Sequence, residues 1–345
     1  MLYASLMVAA YNRLPPSATT LASELLDQLL ATGGGPPGSV VSKMLRGRRY
    51  FYLQRGSGGS RRQTYVGPDT EETRTRLTAL QQQEAAARSD AEARARTVAM
   101  LRAAGMHVPD GTTARTLEAL GPVFRAGAVL VGSLAFAAYE GALGVIWSDG
   151  YRTADIDLAD VPRLGVGAQE VADIAAALTG VGQPFDPVPG LDPRSPSTSF
   201  KLRGKPLLVD VLTPVRDRGA VGPVPLPQLG AHAHPLRYLE YLIAEPMPAA
   251  VPVRSGVLVT VPHPARFALH KLLVAASRPA FQQIKAAKDL RQAEQLLAVL
   301  AEDRPSDVTD AWRALRRSGA RRMKVAELSL ARLTREVRER VAELC

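Results

Sequence analysis

The sequence has almost no cysteine and no long apolar run. Its one cysteine is Cys345, so the 345-residue chain can form no internal disulfide and no cysteine-based metal site. No stretch approaches the roughly 18 consecutive apolar residues of a membrane span, and no basic residue precedes the short apolar run at the start of the chain. No internal repeat of fixed period is present. These absences predict a cytoplasmic protein without a membrane partner.

Acidic residues are outnumbered by basic ones. Lys and Arg number 43 against 33 Asp and Glu, which gives a formal net charge of +10. Such an excess favours a polyanionic partner, because Lys and Arg that contact phosphates release condensed counterions. Arg greatly outnumbers Lys and Ala is abundant, so genomic base composition explains the excess equally well. Charge alone therefore leaves nucleic-acid binding open.

Three regions differ in composition, and a chain of this length is expected to contain more than one domain. Residues 1–110 contain a helix, a basic β-hairpin with a Gly-Ser-Gly-Gly tip and a long polar helix. Residues 111–262 alternate strand and helix signals, and residues 263–345 are helical. We therefore predict an α/β (α+β) fold, in which a mixed-sheet core lies between an N-terminal helix-hairpin-helix region and a C-terminal helical region.

The core region supplies the segments that place the candidate site. Strands are predicted in AGAVLVG, ADIDLA and SGVLVTVP, helices in SLAFAAYEGAL and AQEVADIAAALTG, and a hairpin in TSFKLRGKPLLVDVLTP. In VLVGSLAFAAY a strand ends at Gly132 and a helix begins at Ser133. Glycine permits a close approach, serine adds a hydroxyl, and the free N–H groups of the helix point to the same place. This turn suits a phosphate, although a Gly-Ser before a helix is also an ordinary cap.

Three aspartates form the candidate metal site. Asp155 and Asp157 are two apart on a strand, so their carboxylates lie on one face, and like charges that close favour a cation such as Mg²⁺ or Mn²⁺ between them. The alternative is an exposed strand end with two solvated acids. Asp210 interrupts an apolar strand, where a lone carboxylate is costly. If the two strands are neighbours, three carboxylates converge near the phosphate turn, as two-metal phosphoryl or nucleotidyl transfer requires.

These motifs resemble the DNA polymerase β-type nucleotidyltransferase superfamily. Together with GRRYFYLQ, YVGP, ALHKLLVAASR and KAAKDLRQAEQLL, they make most of the chain similar to uncharacterised bacterial nucleotidyltransferase-fold proteins related to toxin-like minimal nucleotidyltransferases. The resemblance implies that Gly132 and Ser133 hold the triphosphate of an NTP. It also implies that Asp155 and Asp157 ligate the metals, and that Asp210 completes the metal site and helps to deprotonate the acceptor hydroxyl.

Two further positions follow from the resemblance. Related toxins carry a lysine and, farther along, an acidic residue on the helices after the sheet, and Lys271 and Asp289 are the candidates for nucleotide binding. The alternative interpretation of Lys271 is a surface lysine that does not bind nucleotide. Many superfamily members place the aspartate pair much closer to the Gly-Ser than the 21 intervening residues found here. We interpret LGVIWSDGYRT as a loop over the site that encodes substrate preference, and the spacing leaves catalytic competence open.

Other candidates concern partners. His232 and His234 suggest zinc, but they lack a third ligand, so a flexible loop is the preferred interpretation. A basic line of Arg278, Lys285 and Lys288 either contacts substrate or forms a solvated helix face. The hairpin has aromatic residues that suit base stacking or packing on the protein, and arginines that suit phosphates. The basic residues of the hairpin are Lys43, Arg46, Arg48, Arg49, Arg55, Arg61 and Arg62. A second basic cluster, which could extend the same surface, consists of Arg313, Arg316, Arg317, Arg321, Arg322 and Lys324.

The leading functional hypothesis is a metal-dependent nucleotidyltransferase that moves an NMP from an NTP to an acceptor hydroxyl and releases pyrophosphate. RNA, in particular a tRNA end, is the first expected acceptor, a protein hydroxyl the second and a small molecule the third. One alternative is a catalytically degenerate module that binds nucleotide or nucleic acid. Another is one half of a toxin–antitoxin or defence pair with a regulatory partner protein. The oligomeric state stays open.

Overall fold

The computed structural model describes most of the chain. It covers residues 11–33, 37–55, 62–150, 152–160, 171–190, 192, 194–215 and 222–344. The tip of the basic hairpin, which includes Arg61, and Cys345 lie outside the described residues, as does Tyr151 in the segment predicted to cover the site. Among the described helices, none has the length and apolar character that crossing a membrane demands.

The N-terminal region is a small sheet carried on a long helix. Its elements are β1 (Tyr11–Arg13), α1 (Pro16–Thr32), β2 (Ser39–Leu45), β3 (Arg48–Arg55), β4 (Arg62–Pro68) and α2 (Glu71–Ala103). The hairpin and both helices were predicted, but β2 was missed. Its turn to β3 consists of Arg46 and Gly47, both with positive φ, and an arginine at this position is an unusual hairpin signal. The result is an antiparallel sheet in the order β2-β3-β4.

The central region forms a mixed sheet. Its elements are α3 (Gly111–Ala119), α4 (Gly121–Arg125), β5 (Val129–Val131), α5 (Gly132–Leu143), β6 (Val145–Trp147), β7 (Asp155–Ala159), α6 (Ile174–Leu178), β8 (Phe185–Pro187), β9 (Ser199–Leu202), β10 (Leu208–Pro214), β11 (Val224–Leu226) and β12 (Ala231–Leu236). The strand order is β11-β12-β10-β7-β5, and β9 pairs with both β8 and β10. Strand β10 runs parallel to β7 and β12, whereas β5 runs antiparallel to β7. This architecture confirms the predicted mixed α/β fold class.

The chain ends in a hairpin and a set of helices. These are α7 (Leu239–Leu242), β13 (Pro246–Val251), β14 (Val257–Pro262), α8 (Pro264–Ser277), α9 (Gln283–Asp303), α10 (Pro305–Arg317), α11 (Ala320–Leu330) and α12 (Arg335–Leu344). The strand predicted in SGVLVTVP is β14, but it pairs with β13 in its own sheet and does not extend the main one. Strand β13 was missed because its prolines argue against a strand. The region predicted to be helical ends in two short helices, α11 and α12.

One hydrophobic cluster joins the main sheet to the C-terminal helices. It runs through the chain from Ala114 to Val341. A second cluster packs α1 against the C-terminal part of α2, with Leu25, Leu29 and Leu101 almost fully buried. The boundaries predicted near residues 110 and 262 therefore fall between regions that share packing, and the division into domains stays a prediction.

Candidate active site

The pairing of two parallel strands brings the aspartates together. In the β7–β10 register, Asp157 lies directly beside Asp210, and Asp155 is two residues before Asp157 on the same face. Ile156 and Val209, which alternate with these acids, are fully buried on the opposite face. Apolar core residues therefore alternate with the carboxylates along these strands. The two strands are neighbours, which is what the convergence of the three aspartates requires.

The Gly-Ser turn touches this acidic cluster. Gly132 follows β5, has φ +69°, and lies so close to the Asp157 carboxylate that an added Cβ would come within 2.1 Å of Asp157 Oδ2. Only glycine permits both this backbone conformation and this approach. No side chain caps the start of α5, so the N–H groups of its first turn remain available to an anionic ligand. The predicted phosphate turn and the aspartates form one site.

Ser133 is held by a residue that sequence reasoning missed. Gln292 of α9 is fully buried, and its Nε2 donates to Ser133 Oγ at 3.2 Å and to the Gly150 carbonyl oxygen at 2.7 Å. A glutamine in the helical pattern of α9 gives no sequence signal, because only the packing of α9 against α5 brings it to the turn. Gln292 thus links the phosphate turn to the segment that follows β6.

Burial and like charges raise the pKa values of two carboxyls. Burial is the largest influence on Asp157, and with the charges of Asp210 and Asp155 it raises the pKa to about 7, against the opposing effect of Lys271 and Lys285. Burial also raises the pKa of Asp210, although a hydrogen bond donated by Ser199 Oγ opposes this. Ser199 lies opposite Asp210 on β9 and was not predicted as a site residue. The carboxylates of the cluster therefore repel one another, and the nearby lysines only partly compensate their negative charge.

The donor chemistry of this site fits a hard divalent cation, since carboxylate oxygens are its preferred ligands. Within the described ranges, however, no group of three or more His, Cys, Asp or Glu side chains is arranged to hold a metal ion. A cation shared by Asp155, Asp157 and Asp210 therefore requires their side chains to move from the positions seen here. The same finding gives no support to zinc at His232 and His234.

Lys271 and Asp289 meet each other inside the protein. Lys271 Nζ lies 2.8 Å from Asp289 Oδ1, and Arg278 Nε lies 2.6 Å from Asp289 Oδ2. Burial alone would raise the pKa of Asp289, which is 2% exposed, but the two cations hold it below the ordinary value. Lys271 is 9% exposed, so it is not a surface lysine. Its charge reaches Asp157, and a direct contact with nucleotide stays a prediction.

Two lysines of the basic line lie on α9. The charge of Lys285, which is exposed, opposes the rise in the pKa values of both Asp157 and Asp210. Lys288 Nζ donates to the carbonyl oxygen of Arg152 at 2.6 Å, and burial with the neighbouring Lys271 lowers the pKa of Lys288. Lys288 thus holds the chain next to the site, and a contact of either lysine with substrate stays a prediction.

The interpretation of LGVIWSDGYRT as a loop over the site is wrong in part. Ten of the 21 intervening residues, 134–143, belong to α5, and the following β6 pairs with β1. Trp147 is 1% exposed and stacks on Phe136 with ring centroids 4.6 Å apart, so it is a core residue that cannot contact substrate. Beyond it, α9 anchors the turn through Gln292, Gln295 and an ion pair between Arg291 and Asp149.

Two other sequence interpretations change. His232 and His234 lie on strand β12, not in a loop, because this segment pairs with β10 on one side and β11 on the other. The helix predicted in AQEVADIAAALTG is, within the described residues, only the five-residue α6, which Asp173 caps by accepting the Ala176 N–H.

Comparison with known proteins identifies the family. A family model described as Nucleotidyltransferase matches residues 110–316, which is more than half of the chain. The chain belongs to this nucleotidyltransferase family. No curated protein and no solved structure matches it. The matched residues include the Gly-Ser turn, all three aspartates and the Lys271–Asp289 pair, so family membership supports nucleotidyl transfer with an NTP as substrate.

Proposed function

We propose that this nucleotidyltransferase transfers an NMP from an NTP to an acceptor hydroxyl with the help of a divalent metal ion, Mg²⁺ or Mn²⁺. The observation that supports this most is the contact of the Gly132 turn with Asp157, beside which Asp210 lies in the parallel register. A phosphate group bound at the start of α5 is then adjacent to the carboxylates that would hold the metal.

Each group has a distinct role in this proposal. The N–H groups at the start of α5 bind the phosphates, and the metal, when bound by Asp155, Asp157 and Asp210, supplies positive charge to them. The acceptor oxygen forms a bond to the α-phosphorus, the bond from that phosphorus to the bridging oxygen breaks, and pyrophosphate leaves. Asp210, the third carboxylate of the cluster, accepts the hydroxyl proton.

RNA is the acceptor we propose first, in particular a tRNA end, because the chain carries a net charge of +10. A protein hydroxyl is second and a small molecule third. The toxin–antitoxin context and a regulatory partner protein rest on the resemblance to toxin-like enzymes alone.

The test is incubation of the purified protein with each α-labelled NTP, Mg²⁺ or Mn²⁺, and total RNA or cell lysate. Transfer of label and release of pyrophosphate are expected for the wild type and not for Asp157→Asn. Asp90→Asn, on the exposed side of α2, is the matched control and should retain activity. Equal labelling by the wild type and Asp157→Asn, or labelling by neither, would contradict transfer at this site.

Metal binding has its own readout. In the absence of NTP, Mg²⁺ or Mn²⁺ should raise the unfolding temperature of the wild type and leave that of Asp157→Asn unchanged, because only the wild type holds the full set of carboxylates. No stabilisation of the wild type by either ion would contradict a metal site.

A second candidate function is a degenerate module that binds nucleotide without turnover. It is favoured by the absence, among the described residues, of three side chains already arranged around a metal position. This module would bind an NTP at the α5 turn and release no pyrophosphate with any acceptor, so the labelling experiment separates the two functions.

A further inference from the structure

The two faces of the β2-β3-β4 sheet differ in what they contact. On β3, the odd-numbered residues face α2. Leu53 is buried, and Arg55 bonds to the buried Glu84 of α2 at 2.5 Å. On β4, Gly67 packs against Thr73 of the same helix. The even-numbered residues of β3 therefore face away from α2. This outward side is called the tyrosine face below, and it consists of Lys43, Arg48, Tyr50, Tyr52, Gln54 and Tyr65.

Three tyrosines form a continuous group on this face. The ring centroid of Tyr65 lies 6.3 Å from that of Tyr50 and 5.6 Å from that of Tyr52. A β-bulge between Phe51 and Tyr52 shifts the register of β4, which pairs Tyr52 with Tyr65. Tyr65 is 54% exposed, and Tyr50 and Tyr52 are half-buried. Large rings side by side on the open face of a sheet offer flat surfaces on which bases can stack.

The charges on the tyrosine face are unpaired, in contrast to those on the other face. Toward α2, Arg55 pairs with Glu84 and Arg49 approaches Asp69. Lys43 and Arg48 are exposed and form no ion pair with any described residue, while Lys43 Nζ lies 5.0 Å from the centroid of Tyr52. The sequence contains no acid from residue 28 to residue 68. This face thus combines aromatic rings with uncompensated positive charge, which is complementary to a strand of bases and phosphates.

The position of the sheet favours a polymer over a small molecule. The sheet contacts α2 at Thr73 and Glu84, whereas α2 reaches the body of the protein through Arg94, which bonds to the Ser255 carbonyl oxygen, and Leu101. Along α2 the rise from Glu84 is about 15 Å to Arg94 and about 25 Å to Leu101. The sheet therefore lies toward the opposite end of α2 from these contacts with the body, a position better suited to an extended polymer than to a small molecule.

We infer that the tyrosine face is a platform for unpaired nucleotides of a single-stranded nucleic acid. Bases stack on Tyr50, Tyr52 and Tyr65, while Lys43 and Arg48 contact the phosphates. This inference rests on the proposed function where it identifies the strand as the acceptor. Binding itself requires neither NTP nor metal.

The test measures binding of fluorescein-labelled single strands of about twelve nucleotides by anisotropy, without NTP or metal. Tyr65→Leu should weaken binding about fivefold or more, because it removes a stacking surface, whereas Tyr65→Phe should stay close to the wild type. Lys43→Gln should weaken binding and reduce the salt dependence by about one phosphate contact. Arg332→Gln, which removes an exposed charge between α11 and α12 and lies in neither basic cluster, is the matched control and should bind like the wild type.

Further ligands show which chemical groups of the strand are recognised. An abasic strand has the same charges but no bases and should bind several-fold more weakly, as should a duplex of equal length whose bases are already paired. RNA and DNA strands of the same sequence are compared in parallel, and tight binding of either supports the platform.

Several outcomes would overturn the inference. They are equal binding of the wild type and Tyr65→Leu, equal binding of intact and abasic strands, an effect of Arg332→Gln as large as that of Lys43→Gln, or no binding of any strand. Circular dichroism of each variant confirms folding. Because Asp157→Asn is expected to bind strands normally, failure of the platform and failure of nucleotidyl transfer give different results.

Discussion

Neutralising Asp157 should remove a pH-dependent loss of folding stability from the metal-free protein. In the folded chain the pKa of Asp157 is raised from 3.8 to about 7 by burial and by the charges of Asp210 and Asp155. Above pH 4 the unfolded chain has lost this proton while the folded chain retains it, so stability falls as pH rises and the loss is complete above pH 7. Asp157→Asn has no proton to lose and should escape this decline.

The magnitude follows from the same values. At about 1.36 kcal/mol per pKa unit, the rise from 3.8 to about 7 corresponds to about 4 kcal/mol, of which about 2 kcal/mol falls between about pH 5.5 and 7. Asp157 is half-buried, and solvent screens part of the repulsion. We therefore expect the stability of Asp157→Asn, relative to the wild type, to grow by about 1 to 2 kcal/mol from about pH 5.5 to about pH 8.

The assay is equilibrium unfolding in urea with a chelator present, followed by tryptophan fluorescence. Trp147 and Trp312 are both buried and report on loss of the core. Asp90→Asn, which removes an exposed carboxylate from α2, is the control and should follow the wild-type pH profile. Parallel pH profiles for the wild type and Asp157→Asn would refute the reasoning, because Asp157 would then not be the strained acid of the site.

Three further variants test other contacts. Gly132→Ala and Gly204→Ala both place alanine at positive φ, which destabilises each variant by roughly 1 kcal/mol. Only at Gly132 does the new Cβ meet the Asp157 carboxylate, so only Gly132→Ala should abolish label transfer. Asp289→Asn should lower the free energy of unfolding by about 3 to 5 kcal/mol because it leaves buried cations unpaired, and adding Lys271→Met should recover part of this loss in the same urea assay. Gln292→Met should lower that free energy by about 1 to 3 kcal/mol, since it leaves the Gly150 carbonyl without its donor, and should raise the KM for NTP.

The sequence predicted better which residues cluster at the Gly132 turn than it predicted what surrounds them. Gly132, Asp155, Asp157 and Asp210, which the structure brings together, were chosen as candidates because each breaks a local rule. A glycine stands at a strand-to-helix turn, and acids interrupt apolar strands. Gln292 was not found, because a glutamine in an amphipathic helix breaks no rule and only packing brings it to the turn.

Local signals also failed where pairing overrides propensity. Strand β2 ends in a turn with arginine at positive φ, and β13 contains prolines, so neither resembles a strand when considered alone. Both form because a neighbouring segment of good strand character, β3 or β14, supplies the hydrogen bonds.

The sequence by itself determined the fold class and the acidic motif, since alternation along a strand and a glycine at a strand-to-helix turn are properties of short segments. Only the tertiary structure decided that β7 and β10 are adjacent with Asp157 beside Asp210, and that Lys271 forms an ion pair with the buried Asp289. It also decided that the tyrosines and lysine of the basic hairpin share an open face while two of its arginines face acids. The physical reason is that strand register and helix packing join residues far apart in the chain, and no local pattern specifies which of them will meet.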